Sequence, residues 1–210
     1  MENQQLFMRY KKIESIKKLQ KYGLPILETI FIFDFRKQEK ELDKFLQNKE
    51  YVAIRTDTTK KIDSLPCNLR CHKKRSKKII KDLNTKGFAV ILHEQDHIPF
   101  GVVSKKHISG NIAILQKCFI VELMRGEPLY RLNREGRIDE HLKIKRNSLE
   151  EIGHWGRRII SKRSLDKILK MIRAVPAYKI VEFTSRPEGF YFWQIRNDKT
   201  IKKLDEESSL

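Results

Sequence analysis

Apolar positions along this chain recur at helical spacing in some stretches and at strand spacing in others, and the switches mark its elements. From Lys11 to Tyr22, Ile13, Ile16 and Leu19 fall on one helical stripe, and Gly23-Leu-Pro25 ends it. Ile26 to Phe35 reads as a strand through the run Ile30-Phe-Ile-Phe33. Lys37 to Asn48 reads as a charged helix with Leu42, Phe45 and Leu46 on its apolar side. Tyr51 to Thr56 is a short strand that runs into the polar segment Asp57 to Asp63, and Lys73 to Asn84 is a basic helix burying Ile79, Ile80 and Leu83. Strand-like runs follow at Gly87–His93, Phe100–Ser104, Asn111–Leu115 and Phe119–Met124. Their short polar or glycine-containing connections predict antiparallel pairing. Ser148-Leu-Glu-Glu151 has the form of a capping box and predicts a helix with Leu149, Ile152, Trp155 and Ile159 inward. Ser164 is expected to cap the next helix, with Leu165, Ile168, Leu169 and Ile172 inward. The polar tail Leu204–Leu210 is expected to fray. The class is α+β, with antiparallel sheets packed with helices.

Two β-rich runs, Tyr178–Thr184 and Phe190–Arg196, close the pattern around a Pro/Gly turn. Glu182 interrupts the first run, and Gln194 and Arg196 the second. By strict alternation Gln194 and Arg196 share a face with Phe190 and Phe192, while Tyr191, Trp193 and Ile195 point the other way. A turn over Ser185–Gly189 sets Glu182 opposite Phe192 and on that same face; a slip of one residue sends it to the other. In the first register a carboxylate and an amide oxygen lie diagonally across the pair, where a hard cation could bridge them with Arg196 beside it. An ordinary amphipathic hairpin with a solvated polar face accounts for the same spacing.

The chain has 210 residues, 45 of them basic and 27 acidic, for a net charge of +18. That length can bury a core as one large domain or two small lobes, and that charge calls for an anionic partner. A Lys-, Glu- and Ile-rich composition also suits heat adaptation, so part of the excess need not serve function. The polar Met1-Glu-Asn-Gln-Gln start and the lack of a long apolar run predict a cytoplasmic protein with no membrane partner. The three cysteines are unevenly spaced, which fits a reducing compartment. Cys67-Asn-Leu-Arg-Cys71-His72 has three intervening residues rather than two and no second ligand pair, so it does not make a metal knuckle. The block Lys73-Lys-Arg75-Ser-Lys77-Lys78 with Lys81 reads as a solvated helix face or as a patch for non-specific nucleic-acid binding; no aromatic residues interleave it. No phosphate-binding lysine loop, dinucleotide fingerprint or nucleophile elbow is present.

The closing hairpin resembles the last hairpin of the ATP-grasp nucleotide-binding domain of the pyruvate phosphate dikinase and phosphoenolpyruvate synthase family, which ends in Leu-Gln-x-Arg; here the strand reads Tyr191-Phe-Trp-Gln194-Ile-Arg196. Other segments resemble that family in the same order. Tyr22-Gly23-Leu-Pro25 is similar to its Gly-Leu-Pro signature, with Lys12 at the distance of its nucleotide-binding lysine. Tyr51-Val-Ala-Ile-Arg55-Thr is similar to the strand whose arginine reaches the phosphates. Ala89–Glu94 with Pro99-Phe-Gly101 resembles the hinge that holds the adenine, and Phe119-Ile-Val-Glu122 with Gly126-Glu-Pro resembles its acidic strand. The chain departs from the family at Thr56-Asp57-Thr58, which stands where the family has Ser-Ser-Ala. It also lacks the Gly-Leu-Gly-Glu loop, the phosphohistidine domain and the pyruvate-binding barrel.

The resemblance implies an isolated, reduced ATP-grasp-like form in two lobes, 1–86 and 87–203, that binds ATP and Mg²⁺. It implies Lys12, Arg55 and Arg196 on the phosphates, with the two arginines catalytic, and Glu94 and Asp96 near adenine and ribose. Glu182, Gln194 and Glu122 would be the metal ligands, with Lys12 and Arg55 across a cleft from the hairpin. The implied activity is that of an ATP-dependent phosphotransferase or ligase whose acceptor is anionic or is a separate acceptor protein. A non-catalytic nucleotide-binding module and a basic nucleic-acid-binding protein are the alternatives.

Overall fold

A computed structural model describes residues 10–62, 64–95, 107–126, 136–186, 189–198, 200–202 and 205. The expected antiparallel sheets and helices are present. Packing divides the chain into two units, Met1–Lys17 with Leu27–Val102 and Lys18–Ile26 with Val103–Leu210. The sequence reading instead separates the lobes after residue 86. The expected strand at Phe100–Ser104 and all of the tail except Asp205 lie outside the described residues.

The first unit carries the start of helix α1 (Lys11–Lys21) and a four-stranded sheet. Its strands are β1 (Thr29–Ile32), β2 (Tyr51–Asp57), β3 (Cys67–His72) and β4 (Ala89–Gln95), in the order β1-β4-β2-β3. Strand β1 is shorter than the apolar run predicts because Asp34 leaves it: its carboxylate accepts from Arg36 N and Lys37 N and starts α2 (Phe35–Leu46) early. One sheet face packs Ile32, Val52, Ile54, Val90 and Leu92 against Leu42, Phe45 and Leu46 of α2 and Ile80 of α3 (Lys73–Thr85). Sequence reasoning missed β3. Its Cys71 sits in that core, where burial pushes the thiol pKa up, and its His72 caps α3 by accepting from Lys74 N.

The second unit holds a six-stranded antiparallel sheet in the order β10-β9-β5-β6-β7-β8. The strands are β5 (Ile108–Ile114), β6 (Cys118–Arg125), β7 (Glu140–Lys145), β8 (Glu151–Gly156), β9 (Lys179–Arg186) and β10 (Gly189–Asn197). Strict alternation sorts the two faces. Ile112, Ile114, Phe119, Val121, Leu123, Leu142, Val181 and Phe183 form one face, which helix α4 (Lys162–Met171) closes with Leu165, Ile168 and Leu169. Ser161 caps α4 in place of Ser164, accepting from Ser164 N.

The helix expected from Ser148 is instead the edge strand β8. Ser148 does accept a backbone N–H, but from Glu150, and Leu149 at φ 58° breaks the helical run there. Further on, Ile159 N and Ile160 N donate to the fully buried carboxylate of Glu140 on β7 rather than to carbonyls one turn back. Ile152 and Trp155, placed inward by the helical pattern, are 46% and 57% exposed.

Gly110 faces the core beneath Phe183 and Leu123, its partners on β9 and β5's other neighbour β6. A Cβ there would stand 2.4 Å from Phe183 Cε1 and 2.7 Å from Leu123 Cδ2, both side chains fully buried. Gly110→Ala is therefore expected to lower unfolding stability by ~1–3 kcal/mol, the usual range for overpacking. Denaturant midpoints would check this; an unchanged midpoint contradicts the packing described here.

Candidate functional site

The other face of the six-stranded sheet is polar along its middle. The register sets Gln194 (β10) opposite Glu182 (β9), Glu182 opposite Asn111 (β5), and Asn111 opposite Glu122 (β6). The same row continues through His141 (β7) to Trp155 (β8). Strand spacing of ~4.8 Å puts the backbones of Glu182 and Glu122 about 10 Å apart, with Asn111 between them. Glu182 and Asn111 are buried and Glu122 partly so.

Glu182, Gln194 and Arg196 do share a face, by a route that alternation does not foresee. Phe192 pairs with Phe183, not with Glu182, and the ladder shifts between Phe192 and Gln194. Trp193 is the extra residue of a β-bulge. Phe192 and Ile195 both enter the core, while Trp193 stays on the polar side and its Nε1 donates to Thr184 Oγ1 at 2.7 Å. The bulge frees Phe192 N, which donates to Pro25 O at 2.8 Å and ties the Gly23-Leu-Pro25 segment to the hairpin.

Arg196 Nε lies 3.4 Å from Glu182 Oε1, and its Nη1 donates to Asp198 at 3.2 Å. Bonds from Thr200 and the Arg196 charge hold the Asp198 carboxyl below its ordinary range. The Arg196 side chain is 38% exposed, so the pair contributes little to stability and is open to exchange of partners. Sequence reasoning missed Thr184 and Arg186, which follow Glu182 at i+2 and i+4 on the same face. The Arg186 guanidinium is buried between the rings of Tyr191 and Trp193, 5.6 and 6.0 Å from their centroids. A hydroxyl two positions and an arginine four positions after a strand carboxylate, all on one face by alternation, were the available signal.

In the first unit, Lys12 is anchored at the end of β2. Its Nζ donates to Thr56 O at 3.0 Å. The buried Asp57 carboxylate accepts from Lys12 N and Ile13 N at 2.7 and 3.0 Å, capping α1. Thr56-Asp57-Thr58 thus acts as a helix anchor. Arg55 and Glu94 fall on opposite faces of their sheet: Arg55 pairs with Ile91, whereas Glu94 pairs with the core residue Val52. The sheet therefore does not bring these two together. Asp96 lies outside the described residues.

His93 is on the Arg55 face and is buried; desolvation, reinforced by the Arg55 charge, lowers its pKa to about 3. Thr29 Oγ1 donates its only proton to Leu27 O at 2.7 Å, so the 2.8 Å contact with His93 requires Nδ1 to be the donor. On the basic helix, Lys77 is bound by Asp43 at 2.5 Å and Glu39 at 3.4 Å, and Lys73 by Gln47 O.

The donor set on the large sheet suits a hard cation, since it offers carboxylate and amide oxygens on adjacent strands. Among the described residues no three His, Cys, Asp or Glu side chains converge. No helix among the described residues is long and apolar enough to cross a membrane.

No family model matches the chain, and no curated protein matches its sequence. Solved structures do match its fold. D-alanyl-alanine synthetase A from Vibrio cholerae superposes with a TM-score of 0.54 at 7% identity, over 90% of this chain and 55% of that one. D-alanine-D-alanine ligase from Helicobacter pylori gives 0.52 at 12% identity, over 97% and 61%. The RiPP-associated ATP-grasp ligase of Chryseobacterium gregarium, solved with ADP and a leader and core peptide, gives 0.50 at 12%, over 86% and 49%. The fold is that of the ATP-grasp enzymes, and these matches do not extend to the dikinase and synthase family. The chain spans about half to three-fifths of the length of these proteins.

The buried neutral His93 predicts a pH dependence of stability. Below its ordinary value of 6.5 the unfolded chain takes up a proton that the folded chain refuses until about pH 3. Stability should be complete above pH 6.5 and fall with acidification through that window, by about 1.4 kcal/mol per pH unit from this one group. Unfolding midpoints at pH 7, 6 and 5 should fall less steeply in His93→Gln than in the parent; equal slopes would remove the assignment.

Proposed function

We propose that this chain is the nucleotide-binding part of an ATP- and Mg²⁺-dependent ligase or phosphotransferase that activates an anionic acceptor. The observation that carries the reading is the row Gln194–Glu182–Asn111–Glu122 on one sheet face, flanked by Arg196, in an ATP-grasp fold. The likeness of the closing hairpin to that of the dikinase and synthase domains supports the same choice of residues.

Phosphoryl transfer depends on positioning and on neutralising charge, not on covalent protein chemistry. Glu182 and Glu122 would hold the cation, with the amide oxygen of Gln194 completing the protein's share. When bound, Mg²⁺ would supply positive charge that offsets the negative charge of the phosphates. Arg196, released from Glu182 as that carboxylate turns to the cation, would take a phosphate oxygen through its guanidinium. Arg186, held rigid between two rings, adds a second fixed guanidinium on the same face. Lys12 and Arg55 would contact phosphates, with the Lys12 ammonium oriented by its bond to Thr56 O. The neutral His93, which shares the Arg55 face of its sheet, would stand near the adenine. The +18 net charge favours an anionic acceptor. The basic helix α3 gives less support to nucleic-acid binding, since two of its lysines are already bound within the unit.

Calorimetry with ATP and Mg²⁺ tests this reading. The parent should bind, and Glu182→Ala or Arg196→Ala should weaken binding at least tenfold, with ADP release on adding an acceptor marking an enzyme over a passive binding module. No binding by the parent would overturn the proposal.

A further inference from the structure

Strand β8 is an edge of the six-stranded sheet: it pairs with β7 on one side and has no neighbouring strand on the other among the described residues. Every residue of it except Gly153 is exposed, Ile152 and Trp155 included. An open edge with apolar side chains invites pairing, and natural sheets commonly guard such edges with charge. Here the charges sit at the two ends, with opposite signs. The segment reads Glu150-Glu-Ile-Gly-His154-Trp-Gly-Arg-Arg158, two carboxylates before its centre and two guanidiniums the same distance after it. About His154 the charge pattern is its own complement. A second copy run antiparallel sets Glu150 and Glu151 of each chain against the Arg157–Arg158 end of the other, whereas a parallel copy sets like against like.

The backbone selects the same centre. Arg157 N donates to Asp139 O at 3.1 Å, one step beyond the Glu140–Gly156 pair. Hydrogen-bonded positions recur every second residue, so Trp155 also turns its N–H and C=O toward β7, while His154 turns both outward. Two copies of His154 can therefore exchange N–H···O bonds across a two-fold axis. In that register Trp155 of one copy stands opposite Gly153 of the other. The Trp155 ring lies across its own Gly153, where a Cβ would come within 2.7 Å of a ring carbon, and His141 meets it edge-on from β7 with centroids 5.1 Å apart. One side of the indole is thus covered by β7 and the open edge lies on the other, where two glycines leave room for the two rings to meet. Glu150 and Glu151 are held within the chain by Lys145 and Arg158, in exposed pairs that can exchange partners. Arg157 is exposed and makes no ion pair among the described residues. We propose that two copies of this chain pair edge to edge through β8, antiparallel about His154, and join their large sheets into one continuous sheet. The pairing does not depend on nucleotide binding by either copy.

Sedimentation equilibrium of the full chain over a hundredfold range of concentration tests the interface. The parent should show a reversible monomer–dimer equilibrium that weakens as salt rises. Arg157→Glu and Glu150→Arg each cancel the charge match at both ends of the pair and should weaken dimerisation at least tenfold. An equimolar mixture of these two variants restores a full match at one end of the heterodimer and should dimerise more strongly than either variant alone. A variant that had merely lost its fold would gain nothing from the mixing. Trp155→Ser should also weaken the dimer at least tenfold, with the unfolding midpoint of the monomer unchanged. A parent that stays monomeric at every concentration overturns the proposal. So does a dimer indifferent to Arg157→Glu and Trp155→Ser, or a mixture no stronger than its two components. Growth beyond the dimer overturns the two-fold arrangement, because an isologous pair closes on itself.

Discussion

The candidate metal-binding row of this protein depends on the pleat of one six-stranded sheet staying in phase from strand to strand. Side chains alternate faces along each strand, and cross-strand partners share a face, so register and pattern must agree six times over. They do. Ile112, Val121, Leu142 and Val181 stack into the core beneath α4, and their neighbours Asn111, Glu122, His141 and Glu182 line up on the reverse. A slip of one residue in β6 or β9 would bury a carboxylate beneath the helix and expose a core residue. The apolar face is thus what aligns the polar one.

The exception is local. Strand β10 carries its apolar residues at Phe192 and Ile195, three apart, which no regular strand can place on one face. One extra residue at Trp193 resolves the conflict. The bulge has two consequences: Trp193 becomes a donor to Thr184 on the polar face, and Phe192 N turns out of the ladder to meet Pro25. The hairpin and the Gly23-Leu-Pro25 segment, two of the pieces by which the sequence resembles an ATP-grasp domain, are therefore joined by the hydrogen bond that the bulge releases.

The helices α1, α3 and α4 were legible because each has a full apolar stripe and a clear terminator or cap. The strands β2, β4, β5 and β6 were legible from their β-branched runs. The segment after Ser148 was misread for a physical reason. A serine followed three residues later by glutamate, with apolar residues at helical spacing, is also what a short exposed edge strand can carry, because an edge strand need not bury either face. What decided it was Glu140, distant in the chain, whose buried carboxylate holds the N–H groups of Ile159 and Ile160. Strand β3 was missed because its buried marker among the described side chains is a cysteine in a polar stretch.

Glu182, Gln194 and Arg196 could be chosen from the sequence because polar residues that break an apolar strand must answer to something on their own face. Arg55 and Glu94 could not be separated that way, since their pairing partners, Ile91 and Val52, are set only when β2 and β4 come into register. By itself the sequence determined the class of the fold, its helices and the closing hairpin, because periodicity and turn chemistry are local. Tertiary structure alone decided which residues share a face with Glu182. That choice depends on strand order, on a bulge and on pairings between residues far apart in the chain, and local pattern carries none of these.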